Sequence, residues 1–238
     1  MNSEGRRFAL FGLSLVVAAV CAGLGVWQGR RLAARRALNR TTSAARALPE
    51  VNLNQLDANQ QLSQRRIVAR GRFDHDHSFV LRGRVEREAP GVQLVVPLRL
   101  EGRPEAVLVN RGFAPAPDAA RPDTARLDRT VDLQVRGLAL PVPVGPDSGA
   151  PVNYGGSTSW RRLDLAAIQA RLPYPVLDVY LHETEAESRG EGASRWPAPA
   201  TLPPLDDGPH LSYMLQWFGI GVAAVGFGIL VLRSKGSK

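Results

Sequence analysis

Phe8-Ala9-Leu10-Phe11-Gly12-Leu13-Ser14-Leu15-Val16-Val17-Ala18-Ala19-Val20-Cys21-Ala22-Gly23-Leu24-Gly25-Val26 is the stretch on which the reading of this chain turns. It contains no Asp, Glu, Lys or Arg. At ~1.5 Å per residue a helix of this length reaches across a hydrocarbon core of roughly 30 Å, where a helix satisfies its own backbone groups. Residues 211–232 form a second run of the same character near the C-terminus. A secretory signal peptide is the rival reading of the first run, since Arg6 and Arg7 precede it. The run outlasts a typical signal core, however, and leads into Arg30, Arg31, Arg35 and Arg36 rather than a small-residue cleavage site. The sequence therefore predicts two membrane spans with a mostly polar domain between them.

Composition supports that division. Hydrophobic residues make up 44% of the 238, an ordinary share, and a mean hydropathy of -0.14 places the apolar excess in the two runs. The remainder is long enough for one core, and no internal repeat is visible. A net charge of +8 arises largely from Arg beside the spans, which argues for membrane flanks and against nucleic acid as a partner. The one cysteine, Cys21, lies in the first span, which excludes an intrachain disulfide and a cysteine-rich metal site.

Flanking charge gives two answers about orientation. Arg30, Arg31, Arg35, Arg36 and Arg40 after the first span favour an internal loop. Asp206 and Asp207 before the second span, with Arg233, Lys235 and Lys238 after it, favour the reverse. Long translocated domains are less governed by flanking charge, so the second set decides: both termini cytoplasmic, domain outside.

Between the spans, residues 27–48 are rich in Ala, Leu and Arg and predict a helical stalk ended by Pro49. Strand signals follow. Ile67, Ala69, Gly71 and Phe73 alternate with Val68, Arg70 and Arg72, and apolar runs occur at 79–81, 92–100, 106–110, 131–140 and 176–182. Glu101-Gly102-Arg103-Pro104 reads as the turn of a hairpin pairing 94–100 with 106–110. Asp164 is placed to cap a short helix carrying Leu165, Ile168 and Leu172 on one face and closed by Pro173. Loops are expected at 114–129 and 183–209, the latter as a flexible lead-in to the second span. The fold class is α+β: two transmembrane helices, at 8–26 and 211–232, flanking one β-rich extracytoplasmic domain, 49–209, with a short helix.

Three groups of residues are candidates for chemistry. In Asp74-His75-Asp76-His77 both histidines would face one way on a strand, as metal ligands require, but the string follows a strand ending at Phe73 with no third ligand in view and reads first as a polar turn between strands. Asn110-Arg111-Gly112-Phe113 reads as a strand terminus with a Gly suited to positive φ, and Arg111 is open to a binding role. On a helix, His210, Tyr213, Met214 and Trp217 share one face, which Gly221 extends. A flat apolar ligand suits that face, and neutral imidazole is a common haem ligand. Tyr, Trp and His are equally normal at headgroup depth, with Gln28 and Gln216 as polar contacts between helices. Small residues at Ala18 and Ala22, Ala19 and Gly23, Gly219 and Ala223, and Ala224 and Gly228 suit close helix packing. No nucleophile motif or phosphate-binding glycine loop is present.

Four blocks resemble the surfeit-locus assembly factors of haem-copper oxidases: Leu24-Gly25-Val26-Trp27-Gln28 with Arg31; Arg70-Gly71-Arg72-Phe73-Asp74-His75; Val107-Leu108-Val109-Asn110-Arg111-Gly112-Phe113-Ala114-Pro115; and His210-Leu211-Ser212-Tyr213 with Gln216-Trp217-Phe218. Residues 160–168 are also similar. The resemblance implies a non-enzymatic factor of a bacterial cell inner membrane, active in cytochrome c oxidase assembly. Its expected partners are the oxidase catalytic subunit, other assembly factors and the lipid bilayer. It further implies haem a as cofactor, with His210 as ligand to the haem iron and Tyr213 and Trp217 shaping the pocket, and it makes Asp74-His75 part of a structural turn. The alternative is a scaffold for oxidase assembly that does not touch haem.

Overall fold

The structure is a computed structural model and describes residues 3–56, 61–86, 88–123, 127, 132–145, 151–154, 157–184, 196–199, 202 and 204–234. It divides into two compact units, Met1–Ser43 with Pro204–Lys238, and Ala44–Pro203.

Two helices make the first unit. Helix α1 (Ser3–Ala47), which also enters the second unit, is free of proline until Pro49 and ends there; α3 (His210–Arg233) is apolar as far as Arg233. Both are long and apolar enough to cross a membrane. Their outward faces are apolar too, with Phe8, Val16, Val20, Leu215, Val222 and Leu230 all exposed. The covered positions follow a different rule. Ser14, Cys21, Gly25, Gln28 and Leu32 are buried on α1, with Ala18 half-buried; on α3, Gly221 and Gly228 are buried, with His210, Met214, Trp217 and Ala224 half-buried. Steps of four and three residues describe a 3.5-residue seam, the pattern by which two long helices stay in contact.

Small residues set the approach of this antiparallel pair. A Cβ at Gly228 would collide with the Ser14 hydroxyl, one at Gly221 would lie 3.4 Å from the Cys21 Cβ, and one at Gly25 would stand 2.8 Å from the Phe218 ring. The small-residue pattern read from the sequence thus divides: Ala18, Ala224 and Gly228 serve the seam, whereas Gly23 and Gly219 face outward with nothing near them.

The second unit is built on strands β1 (Val51–Asn52), β2 (Arg66–Phe73), β3 (Phe79–Glu86), β4 (Ala89–Leu100), β5 (Ala106–Pro115), β6 (Asp132–Pro141), β7 (Val152–Tyr154), β8 (Ser157–Trp160) and β9 (Val176–Glu183), with the short helix α2 (Leu165–Gln169). The described strands form one sheet in the order β1-β2-β6-β9-β5-β4-β3-β8-β7, and β2 also pairs with β4. That extra pairing closes β2, β6, β9, β5 and β4 into a five-stranded barrel. Closure occurs at Gly71↔Leu100 through Phe73↔Leu98, where a Cβ on Gly71 would run into the Arg99 carbonyl. Ile67, Ala69, Leu98, Val107, Val109, Val135 and Leu181 belong to the main core. Phe79, Leu81, Val95, Leu108, Trp160 and Ile168 form a second cluster under α2. Because β4 and β5 serve both clusters, they carry near-continuous apolar runs rather than alternation. Each fully buried side chain of this kind contributes roughly 1.5–3 kcal/mol.

The 101–104 turn joins β4 to β5, with Leu98 opposite Val107. Asp164 caps α2 by accepting from the Ala167 amide at 3.1 Å, although the helix stops at Gln169, short of Leu172. Two expectations are corrected. Strand β5 continues past residue 110 to Pro115, because β4 pairs with it along that length. Part of 183–209 is pinned rather than loose: Phe113 and Ala198 exchange backbone hydrogen bonds of 2.7 and 2.8 Å. Pairing of β9 with β5 ends at Asn110↔His182, and Ala198 takes up the vacated edge above Gly112, whose φ of +119° leaves no room for a Cβ beneath the Ala198 carbonyl.

Candidate functional site

The end of the helix pair where α3 begins gathers the polar residues of the first unit. Gly208, at φ +64°, turns the chain into α3, and its amide donates to Asp206 Oδ1 at 3.2 Å. Asp206 and Asp207 meet the arginines of α1. Arg36 donates to Asp207 Oδ2 at 2.9 Å, Arg35 lies 3.9 Å from Asp206, and Asn39 donates to the Asp206 carbonyl at 2.8 Å. Hydrogen bonding from Arg36 holds the Asp207 carboxyl below the usual carboxylate range.

One turn along, His210 Nδ1 lies 2.9 Å from Gln28 Oε1. An amide oxygen only accepts, so with Oε1 facing the ring Nδ1 carries a proton and, in the neutral ring, the lone pair falls to Nε2. Gly208 stands on that side of the ring: a Cβ there would sit 3.8 Å from Nε2, so the glycine leaves the imidazole edge uncrowded. Gln28 is 9% exposed, a polar side chain within an otherwise small or apolar seam. Chemically the arrangement orients the imidazole so that, in its neutral form, Nε2 is the nitrogen able to donate to a metal or accept a proton.

The other proposed wall residues differ in exposure. Met214 turns into the seam, its Sδ 3.2 Å from where a Gly29 Cβ would stand, and Trp217 is half-buried one turn further on. Tyr213 is 47% exposed on the flank, and Gln216 is exposed. Sequence spacing placed His210 correctly on a helix but missed Gln28 as its partner.

In the second unit, the Asp74–His77 string forms a single 3-10 turn between β2 and β3. Asp74 Oδ2 binds His77 Nδ1 and accepts from the Tyr174 hydroxyl, both at 2.8 Å. Burial pushes the Asp74 carboxyl up, but the Tyr174 and His77 hydrogen bonds outweigh it and leave the group below its usual value. Burial and the same carboxylate push Tyr174 up. No group of three metal-binding side chains occurs among the described residues. Arg111 is not a surface cation. It is fully buried, donates to Glu183 Oε2 at 3.1 Å, and lies 4.6 Å from the Phe73 ring centroid.

Comparison with known proteins bears on the whole chain. The family model described as the SURF1 family matches residues 15–222, from the first helix through the His210 turn and into α3. The chain belongs to the SURF1 family. A SURF1-like protein of Monosiga brevicollis is 27% identical over 247 residues, covering 98% of this chain and 91% of the relative. One from Drosophila melanogaster is 28% identical over 88% of this chain and 73% of its own length. An uncharacterised SURF1-like protein of Mycobacterium tuberculosis is 29% identical over 69% of this chain and 58% of its own. The matched span of this SURF1 family member contains Gln28, Arg111, Glu183 and His210.

Proposed function

We propose that this chain is a membrane-embedded assembly factor for cytochrome c oxidase that holds haem a at His210 for transfer to the oxidase catalytic subunit. The observation that carries the reading is the 2.9 Å contact between His210 Nδ1 and the Gln28 amide oxygen at the end of a helix long enough to span a bilayer. A haem iron, when bound, would take a neutral imidazole nitrogen as a ligand. Nε2 of His210 would be that nitrogen, with Gln28 holding Nδ1 from the other helix. Tyr213 offers an exposed aromatic face beside it, and Trp217 the next turn of the wall. With one histidine there, the site suits cargo that leaves again.

The domain faces outward and both termini inward. Arg35 and Arg36, two of the five charges that argue otherwise, are matched by Asp206 and Asp207, which weakens that set against Arg233, Lys235 and Lys238 on the inner side. Trp27, with Arg31 5.1 Å over its ring, suits the headgroup layer on the outer side.

The test is an optical spectrum of the full chain purified from cells that make haem a, beside His210→Ala. A haem a spectrum lost in the variant, with oxidase assembly lost in parallel, is expected. If no haem accompanies the wild-type chain and His210→Ala assembles oxidase normally, the haem reading falls and the haem-free scaffold replaces it.

A further inference from the structure

We infer that Gln28, on the other helix and 182 residues away in sequence, is the positioning residue that makes His210 a metal ligand. The inference rests on the haem-holding reading of His210 and names what that reading needs from α1. A histidine presents Nε2 only if Nδ1 carries the proton, and in water both tautomers are open to it. Metal-bound histidines resolve this by donating the second ring N–H to a carbonyl, carboxylate or water, and loss of that partner typically costs ~10–100-fold in metal affinity.

Gln28 meets the requirement in three ways. Its Oε1 lies 2.9 Å from Nδ1. It occupies a seam position, buried to 9% exposure, so packing against α3 holds its own rotamer. Its amide oxygen is an acceptor at any pH, with no proton to lose first. Seam neighbours keep the helices close enough for the bond: Gly29 accommodates the Met214 sulfur and Gly25 the Phe218 ring. A leucine at 28 would fill similar space and seal the seam; the amide is explained by the ring it faces. The site is therefore made by both helices, and separating them would release the tautomer along with the grip on the ring.

The experiment uses the full chain in nanodiscs, with haemin as the probe and three variants. In the ligand-free protein, nitrogen NMR of ¹⁵N-histidine, assigned by difference from His210→Ala, is expected to show His210 protonated at Nδ1. In Gln28→Leu the signal should move to a mixture containing the Nε2–H form. Haemin should bind Gln28→Leu ~10–100-fold more weakly than wild type. Gln28→Glu, which keeps an acceptor, should restore binding to within about threefold and shift the bound haem's midpoint potential to more negative values, because a carboxylate makes the imidazole a stronger donor. An Nε2–H tautomer in the wild type, or haemin affinity unchanged in Gln28→Leu while His210→Ala abolishes it, overturns the role of Gln28 and leaves the haem reading standing. Undiminished haemin binding by His210→Ala overturns both.

Discussion

Replacing Arg111 by Met tests how the barrel is held at the end where β9 leaves it. Arg111 and Glu183 are each 0% exposed and 3.1 Å apart, with the Phe73 ring on the guanidinium. Removing one partner of such a pair leaves the other charge buried, at a cost of about 3–5 kcal/mol. For a unit of this size each kcal/mol lowers the midpoint by about 2–4 °C, so Arg111→Met should unfold roughly 6–20 °C earlier. The assay is thermal unfolding of the full chain in detergent, followed by tryptophan fluorescence; Trp160, 2% exposed in the second core cluster, reports on this unit. The double variant Arg111→Met with Glu183→Leu removes both charges and fills their space, and should recover most of the loss, since well-packed apolar replacements of buried pairs are often neutral or better. A single variant melting within about 2 °C of wild type, or a double variant no better than the single, would refute the argument that the two charges need each other.

The Asp74 clasp and the helix seam give two further outcomes. Asp74 titrates below its usual value in the folded chain, so its contribution is present above the unfolded value and is lost as pH falls through the lowered one. Asp74→Asn should therefore be less stable than wild type near neutral pH, with the difference closing below about pH 4; a difference constant down to pH 3 contradicts it. In the seam, Cys21 is free and a Cβ at residue 221 would lie 3.4 Å from its own, near the separation a disulfide needs. Gly221→Cys should form an internal disulfide on mild oxidation, measured as loss of maleimide-reactive thiol, and adding Gly228→Leu should suppress it by forcing the helices apart at Ser14; persistent free thiols in Gly221→Cys alone would mean the seam is wrong.

What the sequence shows of this fold depends on how much of each signal is local. The two apolar helices and the strands around Ile67, Val95, Val107 and Leu181 are legible because burial of a face or of a whole segment imposes a pattern over many residues. Strands β1, β7 and β8, two to four residues long, are too short to hold a period. Barrel closure is also invisible, since it depends on a glycine at 71 sitting beneath the Arg99 carbonyl, a condition set by a strand far along the chain. Arg111 misled for the same reason. As a cation after an apolar run it reads as the end of a strand, and only the arrival of Glu183 on β9 and of Ala198 on the edge beyond makes it an interior residue.

The site follows the same logic, and Gln28 shows where a signal was present but unread. Taken by itself, it is a polar residue at the outer end of an apolar helix, as common at headgroup depth as Trp27 beside it. Taken with Ser14, Ala18, Cys21, Gly25 and Leu32, it stands at the 3.5-residue spacing of the face that another helix covers, and a buried amide on such a face requires a partner. The second helix has its own face at the same period, through Gly228, Gly221 and Met214, and following it outward ends at His210. Gly228 against Ser14 and Gly221 against Cys21 set the register of the two antiparallel seams, which brings the amide of one to the imidazole of the other. Composition and motif show a histidine at the start of an apolar helix; the shared period supplies the reason it meets an amide from the other helix.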